Sequence, residues 1–237
     1  MGTRKAFTLA EVLVTLGIIG VVSAMTIPSL TQNWQKKSYV TQLHKAYNEI
    51  QQALIEEMND KNALNLIEAG FIPGTGKEKE FLNNHFKIVQ DCSTLDSGIP
   101  CFANMYRSQD GRNSQSASMS GYKVATASGY AISMNIIGAG NADPNTIWQL
   151  GAFIVDINGS KGPNIGGRDF FVMYFFPDGS LDELYVSINC RKNGTNCGSG
   201  NSATAKREST YSSSCKNSVY GHGCFGKLLN DNWEMNY

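Results

Sequence analysis

The feature that most constrains this chain is an apolar run near its amino terminus. Residues 5–28 read KAFTLAEVLVTLGIIGVVSAMTIP, and from Phe7 to Leu30 the only charged side chain is Glu11. The run is long enough to cross a bilayer as a helix. A carboxylate within it costs about 2.5–3.5 kcal/mol on insertion scales, and such residues usually have a partner and a function. Glu11 is therefore the first candidate functional residue.

The helical pattern continues beyond the apolar run. Apolar side chains recur in steps of three and four residues, with polar residues between them, at Val40, Leu43, Tyr47, Ile50, Leu54 and Met58. This predicts one helix of about 50 residues, or about 75 Å. Residues 7–30 form its transmembrane or filament-core half and residues 31–60 its amphipathic half. Pro28 lies between the halves and predicts a kink.

A cleavable secretory signal is the alternative interpretation of the amino terminus. Arg4 and Lys5 would form its basic region, and residues 22–24, Val-Ser-Ala, its cleavage site. Two features argue against it. Glu11 interrupts what should be an uninterrupted apolar core, and the helical pattern does not stop at Ala24.

The stretch KAFTLAEVLVTLGIIGVVSAMTIPSL resembles the amino-terminal signature of type IV pilins and type II secretion pseudopilins. The shared marks are a short basic leader (residues 1–6), Phe7 as the first mature residue, Glu11 as the fifth, and the late Pro28. The resemblance covers residues 1–58. It implies that prepilin peptidase cuts between Ala6 and Phe7 and that the new amine is N-methylated. The family usually has Gly before the cut, where this chain has Ala6.

The resemblance also suggests a partner for Glu11. Cleavage would create an amine on Phe7 inside an apolar environment, and Glu11 of one subunit can pair with the Phe7 amine of a neighbour. Each charge alone is costly in a low dielectric, and the two together offset one another. Such a pair would favour the correct axial stagger of subunits. The alternative is a Glu11 that faces the membrane and is held protonated.

Residues 61–237 are expected to form an extracytoplasmic α+β head. Its antiparallel β-sheet should pack on the helix, in a pilin-like fold that agrees with the resemblance. Short helices are expected at 62–71 and 78–89, and strands at Tyr130–Ile137, Ala152–Ile157, Phe170–Phe176 and Leu181–Ser187. Residues 177–180, Pro-Asp-Gly-Ser, have the chemistry of a hairpin turn.

The other parts of the head show weaker patterns. Residues 104–129 are rich in Ser, Gly and Asn and predict an irregular connection, and residues 193–214 predict a surface loop. At the carboxyl terminus, Trp233 and Tyr237 are expected to pack as a closing strand.

The six cysteines all lie beyond the apolar run. An even count in an exported domain favours disulfides over buried free thiols, although many pairings are possible. The cysteines fall into three near pairs, which predict the disulfides Cys92–Cys101, Cys190–Cys197 and Cys215–Cys224.

One loop has the composition of a calcium site. Residues 156–169, DINGSKGPNIGGRD, place Asp156, Asn158, Asn164 and Asp169 among glycines. Calcium takes hard oxygen ligands from flexible loops, and several pseudopilins hold calcium in loops of this domain. The EF-hand pattern is not met, because Gly167 stands at the twelfth position. The alternative is a polar turn without metal.

Charge and motifs argue against two function classes. The 20 basic and 20 acidic residues cancel, so no basic field indicates a nucleic-acid partner. The histidines, His44, His85 and His222, belong to no recognisable catalytic motif, so an enzyme is not expected.

The function that these patterns favour is a structural subunit of a pilin-like filament. It would be a pseudopilin of a type II secretion system or a minor type IV pilin, crossing the bacterial inner membrane once. Its expected partners are other pilin subunits, prepilin peptidase and the inner-membrane assembly platform. One alternative is a minor pilin whose head serves binding, adhesion or DNA uptake. A membrane-tethered enzyme is a remote alternative.

Overall fold

A computed structural model describes residues 8–94, 98–116, 119–138, 140, 142–198 and 200–237. The chain divides into two compact units, Met1–Ser38 and Tyr39–Tyr237. The long helix predicted from the apolar run is present as α1, Leu9–Asp60, with Pro28 inside it. A kink at Pro28 stays a prediction.

The two units differ in how much of α1 they bury. In the first unit, none of the described residues 8–38 is buried. In the second unit, one face of α1 is buried in the core of the head. Its buried residues are Val40, Leu43, Ala46, Ile50, Ala53, Leu54 and Glu57. The predicted apolar stripe is therefore the core face of the helix, and Ala46 and Ala53 are buried on it as well.

The second unit is an α+β domain. Its further helices are α2 (Lys77–His85), α3 (Ile188–Asn193), α4 (Ala203–Thr210) and α5 (Cys224–Asn230), with a π-helical turn at Tyr211–Cys215. Its strands are β1 (Ile88–Asp91), β2 (Tyr106–Arg107), β3 (Ser114–Gln115), β4 (Tyr122–Thr126), β5 (Ala131–Ile136), β6 (Gly151–Asp156), β7 (Phe170–Phe175) and β8 (Leu181–Asp182).

Within the described residues, six strands form one antiparallel sheet in the order β1-β4-β5-β6-β7-β8, and β2 pairs with β3 separately. Side chains alternate between the two faces of a strand. One face of the central strands joins the core formed with α1, through Ile132, Met134, Phe153, Val155, Phe171, Met173 and Phe175. The sheet packed on the helix confirms the predicted α+β pilin-like fold.

The hairpin between β7 and β8 is held against α1. Phe176 N–H donates to Ser180 O at 3.0 Å, which closes the predicted turn. Gln51 Nε2 on α1 donates to Gly179 O at 2.6 Å. Gly179 has a φ of 76°, and a Cβ there would lie 2.7 Å from Met58 Cε. The positive φ of the turn favours glycine here, because side chains with a Cβ rarely adopt it.

Three predicted elements of the head are wrong. The helix expected at 78–89 ends at His85, and residues 88–89 belong to strand β1. Residues 62–71 form turns rather than a helix, because Asn62 takes a φ of 49° and Leu66 N–H donates to Pro177 O at 2.8 Å. Strand β8 ends at Asp182 rather than at residue 187. Tyr185 takes a φ of 68°, which interrupts an extended strand.

Three further expectations need correction. The irregular connection at 104–129 contains β2, β3 and β4, and the surface loop at 193–214 contains α4, whose first turn is capped by Ser202. The carboxyl terminus has no closing strand, because Trp233 takes a φ of 63°. Trp233 and Tyr237 nevertheless pack on the core cluster.

Candidate functional site

The start of α1 is fixed by a reciprocal cap between Thr8 and Glu11. Thr8 N–H and Thr8 Oγ1 both donate to Glu11 Oε2 at 2.8 Å. Glu11 N–H donates back to Thr8 Oγ1 at 3.2 Å. This is a capping box, which satisfies backbone donors that the first turn leaves open. Sequence analysis missed this role, although a Thr three residues before a Glu at the head of an apolar run is its signal.

The predicted cleavage site adjoins this cap. Ala6 and Phe7 lie outside the described residues, so cleavage between them and methylation of Phe7 stay predictions. Thr8 is the first described residue. The capping box therefore lies one residue beyond the expected mature amino terminus.

The first unit presents a large apolar surface. Its exposed large apolar side chains are Leu9, Val12, Leu13, Val14, Leu16, Ile18, Ile19, Val21, Val22, Met25, Ile27, Leu30 and Trp34. In the described part of the chain, α1 is the one helix long and apolar enough to cross a membrane. Such a surface marks a contact with lipid or with another protein.

Polar side chains within this surface are satisfied by the helix itself. Thr15 Oγ1 donates to Glu11 O at 2.9 Å, Thr26 Oγ1 to Val22 O at 2.9 Å, and Thr31 Oγ1 to Ile27 O at 2.8 Å. Lipid offers no hydrogen-bond partners, so polar groups in an apolar environment need hydrogen bonds within the protein itself. The hydroxyl groups are thus compatible with either a membrane or a packed helix bundle.

All six cysteines are joined in the three predicted pairs. The Cα–Cα distances are 6.0 Å for Cys92–Cys101, 4.8 Å for Cys190–Cys197 and 4.9 Å for Cys215–Cys224. These distances lie in the ordinary range for disulfides. The third bond ties the π-helical turn to the start of α5. Disulfides persist in oxidising compartments outside the cytosol.

The candidate calcium loop connects β6 to β7 and begins and ends on buried carboxylates. Asp156 accepts hydrogen bonds from Tyr106 Oη and from Asn158 N–H. Asp169 accepts from Asn164 N–H at 2.8 Å and from Ile165 N–H at 2.7 Å. Both carboxylates are fully buried. The structure thus brings together the four residues that the sequence singled out.

The same loop buries two amide oxygens. Asn158 Oδ1 and Asn164 Oδ1 have no hydrogen-bond partner within the described part of the chain. Burial raises the pKa of Asp156 to about 8 and also raises the pKa of Asp169. The charge of Asp169 raises the pKa of Asp156 further. The loop therefore buries two carboxylates together with two amide oxygens that have no partner among the described residues, and it also carries Lys161 and Arg168.

A bound cation would satisfy the unpartnered amide oxygens and offset the two buried carboxylates. Among the residues that the structure describes, no three His, Cys, Asp or Glu side chains are grouped to hold a metal ion. Calcium, however, also takes amide and carbonyl oxygens. Two carboxylates and two unpartnered amide oxygens therefore fit calcium better than a softer metal.

The three histidines lie in separate environments. His44 stacks on Trp233 with ring centroids 4.2 Å apart. His85 Nε2 lies 2.7 Å from Glu57 Oε2 in a buried ionic cluster. His222 Nδ1 lies 2.9 Å from Tyr174 Oη, and burial lowers the pKa of this histidine. The structure thus gives each histidine a packing or hydrogen-bonding role.

Comparison with known proteins identifies the amino terminus only. The family described as the prokaryotic N-terminal methylation motif matches residues 1–27. No curated protein and no solved structure matches the chain. The motif and the long apolar helix together fit a type IV pilin-like, membrane-anchored protein. The motif implies processing by prepilin peptidase and assembly with other pilin subunits.

Proposed function

We propose that this chain is a subunit of a pilin-like filament, either a pseudopilin of a type II secretion system or a minor type IV pilin. It is cut between Ala6 and Phe7 and assembled by a platform in the inner membrane. The observation that carries the proposal is the exposed apolar helix of the first unit, headed by a methylation motif that contains Glu11.

The exposed helix needs different partners before and after assembly. In the membrane, lipid covers its apolar side chains. In a filament, the same side chains pack against the helices of neighbouring subunits, as unpartnered apolar surfaces do. The head stays outside the cytoplasm, in the periplasm or at the cell surface, where its three disulfides are stable.

Glu11 has two separable roles in this proposal. Its carboxylate caps Thr8 within the same chain, and it pairs with the methylated amine of Phe7 of a neighbour. A glutamine can keep the cap, because the capping box accepts Glu or Gln. A glutamine cannot supply the negative charge. The two roles therefore respond differently to substitution.

The test compares Glu11→Gln with Glu11→Leu in the same cells. Both variants should enter the membrane and be cut, because the leader and Phe7 are intact. Both should be nearly absent from filaments, since leaving a buried charge unpaired costs about 3–5 kcal/mol. Thr8→Val, which removes the capping hydroxyl and keeps the charge, is the matched control and should incorporate better than either. Normal incorporation of Glu11→Gln would show that Glu11 is only a cap.

The neighbouring genes, rather than the residues of this chain, distinguish a secretion filament from a pilus. Secretion and pilus assembly use the same amino-terminal signature. Neighbouring genes for a secretion ATPase and an outer-membrane secretin, without a retraction ATPase, would favour the pseudopilin. A retraction ATPase would favour the pilus.

We propose also that the loop between β6 and β7 binds calcium. Asp156 and Asp169 would supply charge, and Asn158 and Asn164 the two buried oxygens that have no partner within the described residues. Calcium there would neutralise two buried carboxylates and rigidify the loop. The role is structural, since a bound ion stabilises the folded state by mass action.

Thermal unfolding of the full chain in detergent tests this second proposal. Calcium at about 100-fold excess over its dissociation constant should stabilise the fold by about 2.7 kcal/mol, and magnesium should do much less. Asn158→Ala should reduce the stabilisation by calcium, and Asn158→Asp, which adds a carboxylate, should increase it. Asn236→Ala, on the exposed carboxyl terminus, is the control. An equal shift for all variants would refute the site.

A further inference from the structure

The face of the sheet that points away from α1 carries a groove. It consists of two cavities of about 290 Å³ and about 380 Å³, and Gln149 and Leu184 line both. The floor of the first cavity is formed by alternate side chains of β5, β6 and β7, among them Ser133, Ile154 and Val172. The volumes lie in the range of small-ligand pockets.

The lining of the groove is electrically neutral, although Lys206 Nζ lies over the Tyr185 ring, 4.7 Å from its centroid. None of the described residues that line either cavity carries an Asp, Glu, Lys or Arg side chain. A charged ligand would lose its hydration there and gain no opposite charge, which is costly. The first cavity, which Tyr185 does not line, therefore selects against phosphate, carboxylate and ammonium groups.

The groove nevertheless offers hydrogen bonds. Gln149 Oε1 is buried and has no partner among the described residues. Asn135 and Thr146 add further amide and hydroxyl groups to the walls. An unpartnered buried acceptor is costly, and a ligand that donates to it removes that cost. A purely apolar ligand would leave these groups unpaired.

An aromatic pair stands at the edge of the second cavity. Trp148 is about half exposed (53%), and its ring meets Tyr185 edge-on with centroids 5.0 Å apart. Both rings line the cavity. Trp148, held by this edge contact, offers a rigid apolar face for a flat ligand, whereas Tyr185 is half-buried with Lys206 Nζ over its ring. The groove thus combines aromatic faces with neutral donors and acceptors.

We propose that this groove binds a neutral saccharide of one or two rings. Sugar rings present C–H faces, which pack on Trp148, and hydroxyl groups, which donate to Gln149 Oε1 and accept from Asn135. An extended peptide is less suitable, because peptides add to the edge of a sheet through backbone hydrogen bonds, and this groove lies on a face. The inference does not depend on which kind of filament the chain forms.

Saturation-transfer NMR on the full chain tests the proposal. The chain is kept in a zwitterionic detergent, because glycoside detergents are themselves saccharides. The probes are lactose, maltose and N,N′-diacetylchitobiose, with glucuronate as the charged comparison and the capped peptide acetyl-Ala-Leu-Ala-amide as the peptide comparison. At least one neutral disaccharide should bind, and glucuronate and the peptide should not.

Two variants link binding to the groove. Trp148→Ala and Gln149→Leu should each weaken the affinity for the best-bound disaccharide by about tenfold. Gln149→Leu keeps the apolar packing, so it serves as the test if Trp148→Ala disturbs the fold. Trp34→Ala, in the first unit, is the matched control and should bind normally. Failure of all three disaccharides at about 20 mM would overturn the proposal. Unchanged affinity in both groove variants, or stronger binding of the peptide, would also overturn it.

Discussion

At the scale of single residues, Glu183 shows how the head holds a buried charge. Its Oε2 accepts hydrogen bonds from Gly223 N–H at 3.1 Å and Gly226 N–H at 3.2 Å, at the start of α5. The side chain is fully buried. Burial raises its pKa to about 7, although these backbone donors and Leu184 N–H oppose the rise. Glu183 thus ties β8 to the carboxyl-terminal helix in a pH-sensitive way.

Substitution of Glu183 by Gln should change the pH dependence of stability. The folded pKa is above the ordinary value of 4.5, so between about pH 4.5 and 7 the folded state holds a proton that the unfolded state has lost. Wild-type stability contributed by Glu183 is therefore lost as pH rises through this window, by about 3 kcal/mol. The side chain of the Glu183→Gln variant does not titrate. The unfolding free energy of this variant should therefore rise by about 3 kcal/mol relative to the wild type across this window.

Guanidinium unfolding of both chains in detergent, at several pH values in that window, measures the difference. The comparison isolates Glu183, because Asp156 and Asp169 titrate in both chains. A difference in unfolding free energy that stays constant with pH would contradict the assignment.

At the scale of elements, α1 and α2 are joined by a buried ionic cluster. Lys77 Nζ lies 2.6 Å from Glu57 Oε1 and 3.0 Å from Glu80 Oε1, and His85 Nε2 lies 2.7 Å from Glu57 Oε2. Burial alone would raise the pKa of Glu57, but the bonds from Lys77 and His85 outweigh burial and lower it. The cluster holds α2 on the last turns of α1.

Lys77→Met should destabilise the head by about 3 kcal/mol or more, because it leaves Glu57 buried with less compensation. Lys61→Met is the matched control. Lys61 makes an exposed pair with Glu80 at 3.6 Å, and such pairs contribute about 0–1 kcal/mol. Urea unfolding of the two variants at neutral pH measures both losses.

The pH dependence provides a second check on Lys77→Met. The pKa of Glu57 is lowered in the folded state, so its contribution is present above its ordinary pKa of 4.5 and lost as pH falls below it. The difference in unfolding free energy between the wild type and Lys77→Met should therefore become smaller in acid. Equal losses for Lys77→Met and Lys61→Met would show that the cluster does not hold the two helices together.

The elements that could be predicted are those with regular local patterns. The stripe along α1 has a helical period, and β5, β6 and β7 are apolar runs bounded by turn residues. Elements that depend on single backbone conformations could not be predicted. Tyr185 and Trp233 take positive φ values, which residues of this type rarely adopt and which only tertiary packing stabilises.

At the scale of the whole molecule, the fold and the candidate sites differ in how far the sequence predicts them. The signature around Glu11 is local in sequence, so it could be read directly. The candidate calcium loop could be located because its four candidate ligands lie within 14 consecutive residues. The neutral groove could not, because Asn135, Gln149 and Val172 meet only after three strands pair.

The central claim is that a methylated, cleaved helix makes this chain a filament subunit. Intact-mass measurement with terminal sequencing of the chain, purified from the cell envelope, tests it most directly. The account predicts a mature chain that begins at Phe7 and carries one methyl group on its amine. A chain that begins at Met25 would show an ordinary secretory signal, remove Glu11 from the mature protein and contradict the account.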